Sequence, residues 1–416
     1  MEDIFIKNVH INKVRHLENI DIPISETERK HLILTGKNGS GKTSVLLEIK
    51  NWLTGIENQQ LLQLQINRTN IKNLEDAIVR LESQLATGNN FEIGQQIVNY
   101  KNSIKYHQGQ VEVFSNIDIN FSTANIFPLF NEGNFILSHF GARRNLQINV
   151  PQGINKISLR DKYGVNENAG INFVQYIVNL KADRSFARDE NDETSVIQIN
   201  EWFDNFEKSL QDILGDDKLK LEFDRKNYNF TLINKEGESS DFTNLSDGYS
   251  TILNIISELI MRMENKASKS YDIQGIVLID EIETHLHIDL QKKILPFLTN
   301  FFPKIQFIVT THSPFVLNSV SNAVIFDLEK KLLVEDLSGY SVNSIIESYF
   351  DSDDYSTIVK EKVIEYERLL TKDILEEEEE EKLFDLKEYF EDLHKMFSPE
   401  LALKINQIQL ANLAVK

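Results

Sequence analysis

The sequence predicts an α/β fold with a mixed sheet, and three observations carry that expectation. The stretch His31-Leu32-Ile33-Leu34-Thr35 reads as a buried strand. It runs straight into the glycine-rich loop Gly36-Lys37-Asn38-Gly39-Ser40-Gly41-Lys42-Thr43, after which Thr43 to Leu53 continues with helical periodicity. Two apolar runs, Gly275 to Ile279 and Ile305 to Val309, are separated by an amphipathic stretch, the pattern of buried parallel strands joined by a helix. Ile4 to Ile24 instead alternates apolar and polar residues, which predicts short antiparallel strands.

The 416 residues, 41% of them apolar, suffice for a large core and two or three structural units. No run approaches the roughly 20 apolar residues of a membrane span. The acidic start Met1-Glu2-Asp3 has neither the basic nor the apolar region of a signal peptide, so the expected setting is cytoplasmic, with no membrane partner. The absence of cysteine excludes disulfides, thiolate metal sites and a cysteine nucleophile. The formal charge of -20 argues against a uniformly basic nucleic-acid binder. The acid is uneven: from Lys330 to Lys416 the chain carries 21 Asp and Glu against 11 Lys and Arg, half the total charge. Basic groups such as Arg143-Arg144 or Lys181, Arg184 and Arg188 read first as solvated surface, with phosphate contact as the alternative.

Residues 57–114 change character, with few glycines and no proline. Leu64, Ile71, Leu74, Ile78, Leu81 and Leu85 follow heptad spacing, as do Ile93, Ile97, Tyr100, Ile104, His107, Val111 and Phe114 beyond Thr87-Gly88-Asn89-Asn90. This predicts an inserted antiparallel coiled-coil hairpin. Asn67 fills the missing step of the first series, and His107 reads as a seam residue rather than a metal ligand. Strands are expected at Asn116 to Phe121 and Phe135 to Leu137, helices at Asn172 to Lys181 and Val196 to Leu214, and a β-hairpin over Leu219 to Leu232. Beyond Asp336 the chain turns helical and acidic, with six glutamates from Glu376 to Glu381.

The loop spacing places backbone amides around the β- and γ-phosphates of a nucleotide at a helix N-terminus, where the helix dipole favours an anion. Gly36 through Thr43 and the adjoining Ser44 form this expected cradle, with Lys42 on the phosphate oxygens and Thr43 on Mg²⁺. Ile276-Val277-Leu278-Ile279-Asp280-Glu281 is an apolar strand ending in paired acids, as a Walker B element requires. Asp280 would support the Mg²⁺ shell and Glu281 would act as general base or orient the attacking water. Leu245-Ser246-Asp247-Gly248-Tyr249-Ser250 precedes a helical run from Thr251 to Met263, so Ser246 and the Gly248 amide would face a second anion, a plain N-cap being the bland alternative. His312 in Thr310-Thr311-His312-Ser313-Pro314 falls at the carboxyl end of the Ile305 to Val309 strand.

Taken together, these motifs and their order make the chain resemble the ABC-type ATPases of the SMC and RecF kind, within the P-loop NTPases, and among them the OLD-like group. The resemblance covers about residues 1–335 and divides the chain into four parts. These are a head segment over 1–56, the hairpin insertion over 57–114, the rest of the head over 115–336 and an acidic helical region over 337–416. It implies head-to-tail homodimerisation, or a higher homo-oligomer, around ATP and Mg²⁺. Ser246 and Gly248 of one subunit would touch the γ-phosphate held by Lys42 of the other, while His312 would sense that phosphate within its own subunit. Three features depart from the family pattern. The signature reads Leu-Ser-Asp-Gly-Tyr, the hairpin lacks a Cys-x-x-Cys zinc hook, and the lid glutamine has no clear match, with Gln147 the nearest after Phe140 to Asn145. His285 and His287 sit where a dimer-contact loop belongs, a metal pair being the alternative.

About 80 residues follow the expected core, too few for an appended TOPRIM nuclease, so a separate effector is expected. The resemblance is especially to stand-alone ATPases of prokaryotic anti-phage systems such as Septu, whose partner is an HNH nuclease, and PARIS, whose partner is a TOPRIM protein. The acidic region would serve as a docking surface or DNA mimic, or simply as a solvated helix face. Two other functions stay open at this point: a RecF-like repair ATPase clamping duplex DNA, and a nucleotide-gated scaffold with negligible turnover.

Overall fold

The computed structural model describes residues 3–85, 91–123, 126–144, 147–267, 271–334, 336–345, 357–372, 375–396, 405 and 407. The predicted turn Thr87 to Asn90 lies outside these residues. Contacts divide the chain into two units, Met1–Tyr340 and Ser341–Lys416.

In the first unit the alternating N-terminal segment forms β1 (Ile6–Val14) and β2 (Leu17–Pro23), paired antiparallel, with β4 (Ile117–Phe121) on the other side of β1. The central sheet has six strands among the described residues. It contains β3 (His31–Thr35), β5 (Phe135–Phe140), β9 (Gln274–Ile279), β10 (Ile305–Thr310), β11 (Ala323–Asp327) and β12 (Leu332–Val334), in the order β12-β11-β3-β10-β9-β5. All neighbours are parallel except β11 and β12. The sheet is therefore mixed, and the chain is an α/β protein as its sequence predicts; β11 and β12 are not among the predicted strands. Full burial of β3, β9 and β10 explains their near-continuous apolar runs.

Helix α1 (Lys42–Glu57) crosses between the two sheets, and its Val45, Leu46, Ile49 and Leu53 join a core with Ile11, Ile22, Leu34 and Ile308. Two buried glutamines stitch the sheets together. Gln274 Oε1 accepts from Ile4 N at 2.7 Å, and Gln306 accepts from Ile6 N at 2.7 Å while donating to Ile6 O and Lys30 O. Backbone groups of Ile4, Ile6 and Lys30 thus gain side-chain partners at this seam.

The insertion is a pair of packed helices, α2 (Gln60–Leu85) and α3 (Phe91–Glu112). Ile78, Ile97 and Ile104 form their core, flanked by Ile71, Leu74, Leu81, Leu85, Ile93 and Tyr100, as the heptad spacing predicts. The two polar seam positions meet: Asn67 is buried, and its Oδ1 lies 3.1 Å from His107 Nδ1. A satisfied polar pair inside an apolar seam defines one register at some cost in stability.

After α4 (Ile126–Asn131) and β5, the chain forms α5 (Phe173–Asp189) and α6 (Glu193–Leu214). A small antiparallel sheet of β6 (Lys220–Asp224), β7 (Asn229–Ile233) and β8 (Ser239–Asp241) follows. Helices α7 (Asp247–Ala267), α8 (Ile288–Phe301) and α9 (Pro314–Leu317) complete this unit. Within α7, Arg262 donates to Glu258 and to the carbonyls of Leu137, Tyr163, Gly164 and Glu167, so a buried guanidinium ties this helix to β5 and to the loop before α5.

The second unit contains α10 (Val342–Ser344), α11 (Thr357–Leu370) and α12 (Glu377–Met396). Its own small core is built from Val363, Tyr366, Leu369, Leu386, Phe390 and Ile405. The glutamate run is partly neutralised here, since Glu379 pairs with Arg368 and Lys372. No helix among the described residues is long and apolar enough to cross a membrane.

Candidate functional site

The carboxyl ends of β3, β9 and β10 lie side by side, which brings together residues more than 200 positions apart in sequence. Between β3 and α1 the loop turns through three left-handed glycines, Gly36, Gly39 and Gly41, at φ +128°, +86° and +99°. Gly36 is required for space as well: a Cβ there would lie 2.9 Å from Ser40 Oγ and 3.2 Å from Asp327 Oδ1. Lys42 is buried, and its ammonium donates to Gly36 O at 2.8 Å and Lys37 O at 3.1 Å, filling the loop's interior. Lys37 turns outward and pairs with Glu329, Asn38 and Gly39 are exposed, and Ser44 is half-buried on the first turn of α1. The Ser40 hydroxyl is buried with no protein partner.

Across the loop, Asp280 extends β9 at 5% exposure. Its Oδ1 accepts from Thr43 Oγ1 at 3.1 Å and from Thr310 Oγ1, at the end of β10, at 2.6 Å. Thr310 Oγ1 also accepts from Glu281 N at 2.7 Å. Glu281 adopts a left-handed backbone, φ +46°, rare for a residue with a side chain, and Thr284 Oγ1 donates to its carboxylate at 3.2 Å. Glu283 accepts from His312 N at 2.6 Å, while its second carboxylate oxygen is buried without a partner.

The electrostatics follow from this crowding. Burial pushes the Lys42 ammonium below its ordinary pKa, against the pull of Glu281, Glu283, Asp280 and Asp327. His312 is also lowered, first by burial and then by Lys42, which favours the neutral imidazole.

Arg144 departs from the expected solvated surface. It is 5% exposed, and its guanidinium donates to the carbonyls of Asp280 at 3.1 Å, Glu281 at 2.7 Å and Ile282 at 3.3 Å. Burial lowers its pKa to about 10, so it stays charged. Arg143 next to it is exposed. Gln147 is exposed as well and accepts from Asn168 at 3.4 Å, whereas Arg144 reaches the acidic turn; Asn145 and Leu146 lie outside the described residues. Lys181 is likewise not a plain surface cation: it sits 3.7 Å from the Phe203 ring centroid, and burial lowers it to about 8.

Ser246 is exposed just before α7, and its carbonyl accepts from Ser250 N. Gly248 packs under the turn that follows β9, where a Cβ would lie 3.1 Å from His285 O. The chain brings Lys42, Thr43, Asp280, Glu281 and His312 together, while the contacts of Ser246 and Gly248 are with α7 and with the turn around His285. His285 and His287 are exposed, and no group of three or more potential metal ligands occurs among the described residues.

A strand-loop-helix phosphate cradle, with a threonine hydroxyl and a carboxylate converging at the end of the adjacent strands, is what a nucleoside triphosphate site is built from. The sequence of residues 32–318 matches the family described as "AAA domain, putative AbiEii toxin, Type IV TA system". The chain belongs to this family. Among curated relatives, it is 26% identical over 362 residues to the Septu protein PtuA of Bacillus mycoides (strain KBAB4), covering 83% of this chain and 44% of that protein. It is 31% identical over 188 residues to the Septu protein PtuA of Bacillus thuringiensis, covering 41% and 46%. It is 41% identical over 91 residues to the Retron Vc95 probable ATPase of Vibrio cholerae serotype O1 biovar El Tor, covering 21% and 18%. The chain thus spans less than half the length of these relatives.

The donor set fits ATP and Mg²⁺. Thr43 and Asp280 offer hard oxygen donors suited to Mg²⁺, and Gly36 leaves a cradle that a side chain would block. Ser40 presents an unpartnered hydroxyl beside it.

Proposed function

We propose that this protein is an ATPase whose heads pair around ATP and Mg²⁺, and whose pairing controls a separate effector, a nuclease, in anti-phage defence. The observation that carries the ATPase reading is the convergence of Lys42, Thr43, Asp280 and Glu281 at one sheet edge. The likeness to Septu and retron proteins supports the defence setting and the separate effector.

In this reading Lys42 exchanges its two loop carbonyls for phosphate oxygens, and the amides of Gly39 to Thr43 hold the remaining charge. Bound Mg²⁺ would supply charge neutralisation between the phosphates and the acidic turn, held through Thr43 and Asp280. Four carboxylates face Lys42, so the site repels a nucleotide that arrives without a divalent cation. Glu281 orients the attacking water and accepts its proton, with its backbone held by Thr310 and Arg144 and its carboxylate by Thr284. His312, held through its backbone amide on the Glu283 carboxylate and with its pKa lowered by burial, would in this reading donate a hydrogen bond to the phosphate being released. The exposed Ser246 and the Gly248 amide offer the surface that a second head's nucleotide would complete.

Glu281→Gln tests this directly. The variant is expected to bind ATP, release no phosphate and accumulate ATP-dependent dimers by light scattering. Normal turnover would remove Glu281 from the chemistry. A monomer that binds ATP tightly would sink the paired-head reading while leaving the nucleotide site intact.

A further inference from the structure

The chain that leaves β10 through Thr311, His312 and Ser313 is tied down at each of these three residues. Thr311 N donates to Leu34 O at 3.1 Å, which registers the turn against the strand that feeds the glycine loop. His312 N donates to Glu283 at 2.6 Å. The Ser313 hydroxyl donates to Gln291 Oε1 at 2.7 Å while accepting from Phe315 N at 3.2 Å, so it caps α9 and still reaches across to α8.

Gln291 lies on the first turn of α8, where its own amide continues the helix by donating to His287 O. A surface glutamine ordinarily keeps its side-chain rotors free in water. This one is half-buried, and both ends of its amide are engaged, since Nε2 donates to Leu286 O at 2.8 Å. One end therefore grips the segment that carries Glu281 and Glu283, and the other grips the segment that carries His312.

A lone hydrogen bond from Glu283 would leave His312 able to swing about that bond. The tie at the next residue removes the freedom, because Glu283 and Gln291 then hold the backbone on both sides of the His312 Cα. We propose that Gln291 is a positioning residue, which with Ser313 fixes the direction in which His312 presents its imidazole to the γ-phosphate. This rests on the nucleotide site and on the role of His312 proposed above. Both ends of the Gln291 amide are occupied by Leu286 and Ser313, so it acts through His312 and not on the nucleotide. The effect is large for a remote contact because a hydrogen-bond donor displaced by about 1 Å loses most of its value.

Gln291→Met keeps the side-chain length and removes both hydrogen bonds. The full-length wild type, Gln291→Met, His312→Ala and the double variant are compared by calorimetry, with Mg²⁺ and either a non-hydrolysable ATP analogue or ADP. Thermal unfolding accompanies each. A hydrogen bond to a charged phosphate is worth roughly 10-fold or more, so His312→Ala should lose that much affinity for the analogue and Gln291→Met about 3- to 10-fold, with ADP affinity unchanged in both. Adding Gln291→Met to His312→Ala should change the selectivity no further, because the second loss acts through the first. Additive losses would overturn the proposal. So would a lowered melting temperature with wild-type selectivity, or equal loss of analogue and ADP affinity, since either would leave Gln291 a staple of α8 alone. Ser313→Ala cuts the same tie from the other end and should reproduce Gln291→Met, which keeps the test decisive if that variant does not fold. Wild-type selectivity in His312→Ala would remove His312 from the phosphate and this proposal with it. A wild type that binds neither nucleotide would instead refute the nucleotide site itself.

Discussion

Replacing Arg144 with alanine tests whether a buried cation outside the glycine loop holds the acidic turn in working geometry. The guanidinium donates to three consecutive carbonyls, those of Asp280, Glu281 and Ile282. Glu281 O keeps a second donor in Thr284 N, so two carbonyls bear most of the loss. Hydrogen bonds to a charged group are worth about 1.5–3 kcal/mol each, so the variant forfeits about 3–6 kcal/mol locally. That is a large fraction of the roughly 5–15 kcal/mol that holds a domain together, yet within what a core of this size tolerates. If half of it appears as displacement of Glu281 in the transition state, phosphate release falls by about 10- to 100-fold at ~1.4 kcal/mol per decade. Nucleotide affinity should change far less, because Lys42 and the loop amides do not touch Arg144. The assay is steady-state phosphate release, ATP-analogue binding and thermal unfolding of the wild type, Arg144→Ala and Arg144→Lys. Lysine, able to reach fewer carbonyls, should restore part of the rate. Wild-type turnover in Arg144→Ala would refute the reasoning outright. Loss of binding equal to the loss of rate would show that the residue supports the loop instead of the turn.

Further expectations concern the loop and the core. Gly36→Ala places a Cβ at 2.9 Å from Ser40 Oγ on a backbone at φ +128°, so ATP-analogue affinity should fall about 5- to 150-fold at a strain of about 1–3 kcal/mol; unchanged calorimetric affinity would contradict the cradle. ATP binding should require Mg²⁺ in the wild type and depend on it less in Asp280→Asn, which removes one of the acids facing Lys42; equal Mg²⁺ dependence in both would argue against Asp280 as the metal-side carboxylate. His31 is buried, and its Nδ1 accepts from Phe307 N at 3.1 Å, so burial lowers its pKa from 6.5 to about 4. The unfolded chain then binds more protons between those values, and stability falls as pH drops from about 6.5 to about 4, by at most about 3 kcal/mol from this group. Urea titrations should show the wild type losing more stability than His31→Gln from pH 7 to pH 4.5, and parallel losses would exclude His31 as the cause.

Much of the first unit was legible because its signals are local. A strand that ends in Gly36 to Thr43 and continues as a helix is encoded in about 25 consecutive residues, and the hairpin seam repeats its own period from Leu64 to Leu85 and from Ile93 to Ile104. The Asp280-Glu281 pair was equally visible, since a buried strand ending in two acids is an unusual local pattern. Sheet order, by contrast, leaves no periodic trace. Nothing in the sequence says that β10 lies between β3 and β9, and that placement alone puts the Thr310 hydroxyl on Asp280 and on the Glu281 amide. The same holds for Asp327, which reaches Gly36 because β11 pairs with β3.

Arg144 shows the limit most sharply. In sequence it is one of two adjacent arginines with no feature to separate them. In the fold Arg143 is exposed, while Arg144 is buried against three carbonyls at the end of the neighbouring strand. By itself the sequence determined the phosphate loop, the acidic strand end and the two heptad seams, because each is written in contiguous periodicity. Only the tertiary structure decided which charges are buried and what they hold, because burial is a property of neighbours brought from more than 100 residues away.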